Sequence, residues 1–205
     1  MMIRTLAATL CFCLVMAQPA LTDDKKPEKK KEPTGERFDG MDLTKMNFKD
    51  RSFKDNTSFE DCDLRSVNLN GAKAKDAVFS GADLTKTDME KGDWTGADFR
   101  KAKMDYTWLR YATMAGANLE GQDLSKVALR ETNLRGANLR NLKAVGEVMY
   151  SNFDGADLRG ANLSKMSFHD AKKFNKAKYD KDTRWPAGFD PVAAGAVLMA
   201  EEIKK

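Results

Sequence analysis

The chain has 205 residues, 32% charged and 41% hydrophobic, with 35 Lys+Arg against 31 Asp+Glu. This composition excludes a polytopic membrane protein and a strongly acidic or basic tail protein. A single histidine, His169, and three cysteines leave too little material for a histidine-based metal site, a His-dependent triad or a disulfide framework, so the sequence predicts no catalytic residue, no metal and no cofactor.

Arg4 is followed by the apolar run Leu6 to Met16 and by Val15-Met16-Ala17, small enough at the positions a signal peptidase reads. Residues 1–17 are therefore expected to be a signal peptide cut after Ala17, with Ala20 as the second choice. The run falls short of the ~20 residues that span a bilayer, so the expectation is export to the periplasm or the extracellular space without an integral membrane span. Cys11 and Cys13 would leave with the signal, and Cys62 would remain as a lone thiol in a fold stabilised by packing. Residues 18–35 contain LTDDKKPEKKKEPTG, which holds one aliphatic residue and two prolines among charges of both signs. Such a segment buries too little apolar area to offset its ordering entropy and is expected to be a flexible linker.

From Glu36 onward a five-residue period dominates. Its central position runs from Phe38 through Tyr179 in 29 units, and all 29 central residues are apolar. The position two before the centre is Ala in eleven units, including Ala82, Ala97, Ala117, Ala137 and Ala161. Residues two apart share one side of an extended chain, so each unit turns one small and one large side chain inward. The residue between them is Asp or Asn in fifteen units, a choice that suits a position beside a turn. The remaining two residues, often ending in Gly, make a corner. A period of five fits neither a long amphipathic helix nor an ordinary strand; it predicts a chain that coils round a core and stacks on itself.

The units Gly81-Ala-Asp-Leu-Thr85, Gly96-Ala-Asp-Phe-Arg100, Gly116-Ala-Asn-Leu-Glu120, Gly136-Ala-Asn-Leu-Arg140, Gly155-Ala-Asp-Leu-Arg159 and Gly160-Ala-Asn-Leu-Ser164 resemble the A(D/N)LxG repeats of the pentapeptide-repeat family. The resemblance implies an all-β fold, a right-handed quadrilateral β-helix of about seven coils over residues 36–181. The segment Thr183 to Pro191 resembles a tail that closes such arrays. With four units per coil, residues twenty apart stack, and Asp83, Lys103, Asp123 and Lys143 then alternate in sign along one outward column, as do Arg100, Glu120 and Arg140.

The period breaks three times. Six residues separate Phe53 from Phe59 and Phe168 from Phe174, predicting bulges near Asn56 and Ala171, and four separate Met149 from Phe153, predicting a tight corner at Tyr150-Ser151. Solenoid ends need caps. Glu36, Met41, Met46 and Arg51 stand where Ala is normal, so the first coil is expected to serve as the N-terminal cap. Residues 182–205 form the C-terminal cap, where Asp190-Pro191 predicts a short helix to about Ile203, with Val192, Ala196, Val197 and Met199 covering the last coil. An exposed terminal coil would otherwise be a homodimer face.

Exceptions on the outward surface identify candidate sites. Trp108 takes a position where Asp or Asn is usual, with Ala128 and Val148 above it, Arg110, Arg130 and Tyr150 beside it and Tyr106 and Tyr111 at nearby corners. Tyr, Trp and Arg are enriched in binding hot spots, so this patch is a candidate protein-contact site, the alternative being that Trp108 covers a local packing defect. Lys172, Lys173, Lys176, Lys178 and Lys181 form a candidate basic patch for weak contact with an anionic envelope surface. His169 lacks a histidine or reactive-thiol partner, and Trp94 and Cys62 fall at core positions.

The expected function is a non-catalytic exported scaffold or protein-interaction module. The alternative implied by the family is a DNA mimic that inhibits a topoisomerase. Residues 36–181 carry 26 basic and 23 acidic side chains, so they lack the continuous negative surface that mimicry needs, and the dilution of basic charge by acid argues against nucleic-acid binding.

Overall fold

Each five-residue unit closes on a β-turn whose chemistry follows from its residues. The central carbonyl accepts the N–H three positions on, as in Ala82 N to Phe79 O at 3.0 Å and Ala117 N to Met114 O at 3.1 Å. The second corner residue has positive φ, 74° at Gly81 and 71° at Gly96, as a type II turn requires. A Cβ on Gly81 would also sit 2.0 Å from Asp61 Oδ1. The outward Asp or Asn bonds the N–H two residues on, as in Thr85 N to Asp83 Oδ1 at 3.1 Å and Glu120 N to Asn118 Oδ1 at 3.2 Å.

The computed structural model describes residues 35–148, 150–168 and 173–199, all within the unit Pro33–Lys205. Successive coils pair in parallel: Asp83 with Lys103, Asp88 with Trp108, Asp93 with Thr113 and Asp98 with Asn118, each twenty residues apart. Twenty residues in units of five give four sides per coil, here numbered 1 to 4 by the centres Phe79, Leu84, Met89 and Trp94. Central residues donate to the following coil, as in Leu84 N to Lys103 O at 2.8 Å, and outward residues to the preceding one, as in Asp83 N to Cys62 O at 2.9 Å.

The centres build the core. Phe38, Phe59, Phe79 and Phe99 stack on side 1 at centroid separations of 5.1, 4.9 and 5.0 Å, their rings within 7° of parallel. Trp94 is fully buried because Gly92 leaves room: a Cβ there would lie 2.5 Å from the indole. Its Nε1 donates to Met89 O at 3.1 Å. Polar residues at the small inward position are satisfied by carbonyls of the preceding coil. Thr87, Thr107 and Thr132 donate to Leu64, Leu84 and Leu109 O at 2.7, 2.8 and 2.9 Å, and Gln122 Nε2 to Phe99 O at 2.8 Å. Cys62 is buried at the same position, and burial pushes its thiol up from the ordinary value.

Register breaks fall where the spacing changes. The first coil is offset by 21, Arg37 to Ser58 and Ser52 to Lys73, and the extra residue is absorbed around Asn56 at φ 61°. After the deletion Asn133 pairs with Asn152, an offset of 19. Strand β1 (Lys143–Val148) runs parallel to β2 (Asn162–Phe168), with a slip between Lys143 and Val145. Val148 therefore pairs with Phe168, a central position, where matching outward residue to outward residue after the deletion would put it beside Ser167. The expected bulge at Ala171 and His169 lie outside the described residues, but the offset across that stretch grows to 21, Asp157 with Lys178.

At the N-terminal end Arg51 lies over the Phe53, Phe48 and Phe38 rings, 4.5, 5.3 and 5.8 Å from their centroids, and pairs with Glu36. Met41 and Met46 point to solvent. The C-terminal cap corrects the expectation of a helix. Asp190 Oδ1 does accept the N–H groups of Val192 and Ala193, at 2.9 and 3.0 Å. Gly195, at φ 88°, then closes the turn after one round, with Ala196 N bonded to Pro191 O and Gly195 N to Val192 O, both at 2.9 Å. This is a Schellman-type ending. No helix occurs among the described residues, so none is long and apolar enough to cross a membrane; residues 200–203 lie outside them. Instead β4 (Val197–Leu198) pairs in parallel with β3 (Lys178–Tyr179). Val192 and Val197 are exposed, and the last coil is covered by Ala194, Ala196, Trp185 and Phe189. Trp185 stacks on Phe189 at 5.0 Å and meets Phe174 at 5.7 Å. The repeat runs one unit further than the spacing indicates: Thr183 is buried and Arg184 pairs with Asn162.

Candidate functional site

The sequence Tyr106-Thr-Trp-Leu-Arg-Tyr111 crosses side 3 of one coil. The unit pattern buries Thr107 and Leu109 and turns Tyr106, Trp108, Arg110 and Tyr111 outward. Trp108 is 48% exposed, Tyr106 52% and Tyr111 44%. Trp108 pairs with Asp88 in one adjacent coil and Ala128 in the other, so a small side chain flanks the indole and leaves its face open. Arg110 forms an ion pair with Glu90 directly beneath it, and Arg130 Nε lies 3.3 Å from Glu131 Oε1. Lys126 Nζ sits 2.8 Å from Asp105 Oδ2 and 5.4 Å from the Tyr106 ring centroid. The hydrogen bond to Asp105, with its charge, raises the Lys126 ammonium above its ordinary value.

Tyr106, Tyr111 and Tyr150 all occupy the positive-φ corner, at 60°, 62° and 57°. Lysines take the same corner at Lys86, Lys91 and Lys101, so the conformation belongs to the repeat. Lysines and tyrosines alike bear the left-handed cost of ~1–2 kcal/mol that glycine avoids; what sets the tyrosines apart is that each also leaves a large ring in water. Tyr150 is 49% exposed and its carbonyl accepts Lys173 Nζ at 3.0 Å. That bond joins the edge of the aromatic face to the basic residues. The side chain of Val148 lies outside the described set.

The lysines expected to form one patch run round the coil. Lys173 lies on side 4, Lys176 takes a corner at φ 59°, Lys178 lies in β3 on side 1, and Lys181 lies at the corner of sides 1 and 2; Lys172 is outside the described residues. At that last corner the stack gathers residues that sequence reasoning left apart. Arg140, Arg159, Lys181 and Arg184 line one groove, assembled by offsets of 19 and 22 residues that an even spacing of twenty does not pair.

A family model described as pentapeptide repeats matches in eight copies, over residues 55–81, 77–114, 109–141 and 150–172. HetL, a pentapeptide repeat protein involved in heterocyst differentiation regulation from the cyanobacterium Nostoc sp. strain PCC 7120, is 20% identical over 78% of this chain and 82% of its own, with a TM-score of 0.37. The plasmid-mediated fluoroquinolone resistance protein QnrB1 is 17% identical over 80% of this chain and 91% of its own, at 0.30. A pentapeptide repeat protein of the Arabidopsis thaliana thylakoid lumen is 22% identical over 76% and 87%, at 0.29. No curated protein matches the chain.

Proposed function

Because the chain belongs to the pentapeptide-repeat family, whose fold is a right-handed β-helix, we propose that it is a non-catalytic interaction module that presents the aromatic face around Trp108 to a protein partner. The observation that carries this reading is the concentration of exposed aromatic rings on one side. Trp108, Tyr106, Tyr111 and Tyr150 stand on or beside side 3, and the described Phe residues turn into the core. Tyr and Trp make large contact areas at low entropic cost, and Arg, likewise enriched in hot spots, flanks the rings at Arg110 and Arg130. The signal-like N-terminus supports a setting outside the cytoplasm, periplasmic or extracellular. Topoisomerase mimicry draws no comparable support: the pairs Lys103–Asp83 at 3.6 Å and Lys143–Asp123 at 2.6 Å interleave both signs along side 2.

The test is cross-linking mass spectrometry on an envelope fraction, comparing wild type with Trp108→Asp. A heterologous protein captured by wild type and lost in the variant supports the contact face. Identical capture by both sinks it, and capture of only the protein itself makes the face a homodimer interface.

A further inference from the structure

We infer that the groove at the corner of sides 1 and 2, near the C-terminal end, binds a phosphorylated, hydroxyl-rich small molecule through Arg140 and Arg184. The inference is independent of the aromatic face. The groove has a volume of ~700 Å³, within the range of small-molecule sites. It is lined by polar and charged residues and a single glycine, with no aliphatic or aromatic side chain. That lining offers little apolar surface and favours a small polar ligand.

Charge decides the sign of that ligand. Four cations, Arg140, Arg159, Lys181 and Arg184, face two carboxylates, Asp180 and Asp182. Asp180 is already engaged: its Oδ1 accepts the N–H groups of Gly160, Asp182 and Thr183 and the Thr183 hydroxyl, at 2.9, 3.1, 3.0 and 2.9 Å. Burial opposes its charge, but these donors prevail and hold the carboxyl below the usual value. Arg159 grips Asp157 with Nε and Nη2, at 2.9 and 2.6 Å.

Arg140 and Arg184 differ. Seven of the ten described arginines form a close ion pair with a carboxylate; Arg135, Arg140 and Arg184 form none among the described residues, although the charge of Arg140 helps to hold the Asp157 carboxyl low. Two of those three open into this groove. The sign alternation of the column also ends here: Arg100, Glu120 and Arg140 are followed by Arg159, since Asn138 pairs with Asp157 and Asn141 N bonds Arg159 O at 3.0 Å. Like charges in adjacent coils are unfavourable, and an anion between them removes the penalty. Guanidinium forks match tetrahedral oxyanions bidentately. Asn162 uses Oδ1 to accept Ser164 N and Oγ, at 3.3 and 2.8 Å, leaving its amide N–H groups to reach ligand hydroxyls.

The test is isothermal titration of the full chain with glucose 6-phosphate, inorganic phosphate and glucose, and with phosphatidylcholine vesicles containing phosphatidic acid. We expect glucose 6-phosphate to bind, glucose not to bind, and Arg140→Gln and Arg184→Gln each to weaken binding at least tenfold, with Arg135→Gln unchanged. Binding to the vesicles but not to glucose 6-phosphate assigns the same phosphate chemistry to a lipid headgroup. The proposal fails if no phosphate probe binds, if glucose binds equally, or if Arg135→Gln weakens binding as much as the groove variants. Both groove arginines are exposed, and thermal melts of the variants check that the fold is retained.

Discussion

Lys143 Nζ lies 2.6 Å from Asp123 Oδ2, twenty residues away in the chain and one coil away in space. The hydrogen bond from Lys143, helped by that from the Ser125 N–H at 2.9 Å, holds the Asp123 carboxyl at about 2. The ordinary Asp value is near ~3.9. A carboxyl depressed on folding contributes stability that is present above the unfolded value and lost as pH falls through the folded one, so this contribution fades between about pH 4 and 2. Both groups are half exposed, which keeps it to ~0.2–1 kcal/mol. Carbon-13 titration of the Asp123 carboxyl should show its midpoint near the lower value, and Lys143→Ala should raise it. An unmoved midpoint would contradict the pair.

Leu119 is fully buried, whereas Glu120 beside it accepts only Asn138 Nδ2 on the surface, at 3.2 Å. Leu119→Asp places an unpaired charge in the core and is expected to abolish the β circular-dichroism signal. Glu120→Ala should change stability by less than ~1 kcal/mol. A soluble, fully β Leu119→Asp protein would refute the assigned core.

Gly92 separates steric from conformational reasons for glycine. A Cβ there meets the Trp94 ring at 2.5 Å, whereas Gly40, at φ 68°, has nothing within 4 Å of its Cβ position. Overpacking costs ~1–3 kcal/mol and the left-handed penalty ~1–2 kcal/mol. Gly92→Ala should lower stability and also shift Trp94 fluorescence, an effect that Gly40→Ala should lack. Unchanged emission in Gly92→Ala would show that the ring has room.

Arg51 closes the N-terminal end of the phenylalanine stack. Its replacement by Ala removes the cation above three rings, worth ~0.5–2 kcal/mol, and leaves Glu36 unpaired. Hydrogen exchange should speed up in the first coil, around Phe38 to Phe53, with little change near Leu119. Uniform acceleration along the whole array would argue against a local cap.

Tyr111→Gly should raise the melting temperature and weaken partner capture together. It relieves a left-handed Tyr, worth ~1–2 kcal/mol, while deleting an exposed ring of the proposed contact face. Thermal melting and the cross-linking comparison read the two effects separately. A variant that is both less stable and equally competent in capture would make Tyr111 architectural.

The five-residue period was legible because it is local. A turn closed by Phe79 O and Ala82 N, a corner at Gly81 and the Asp83 side chain bonded to Thr85 N need only residues within one or two units, so amino-acid type alone reports them. The same locality made Trp94, Cys62 and the Leu and Phe centres readable as core, and placed Trp108 outside it. The C-terminal cap was misread for the converse reason. Asp190-Pro191 carries a true N-terminal helix signal, but Gly195 and the burial of Ala194 and Ala196 on the last coil favour a returning strand, and Trp185 and Phe189 cover that coil. Vertical neighbours depend on every insertion and deletion between them. Offsets of 19, 20, 21 and 22 residues accumulate along the stack, and they alone bring Arg140 and Arg184, 44 residues apart, to one groove. Sequence determined the unit, its corner and its inward faces, because those follow from local backbone chemistry; only the tertiary structure decided which surface residues meet, because register is a property of the whole winding.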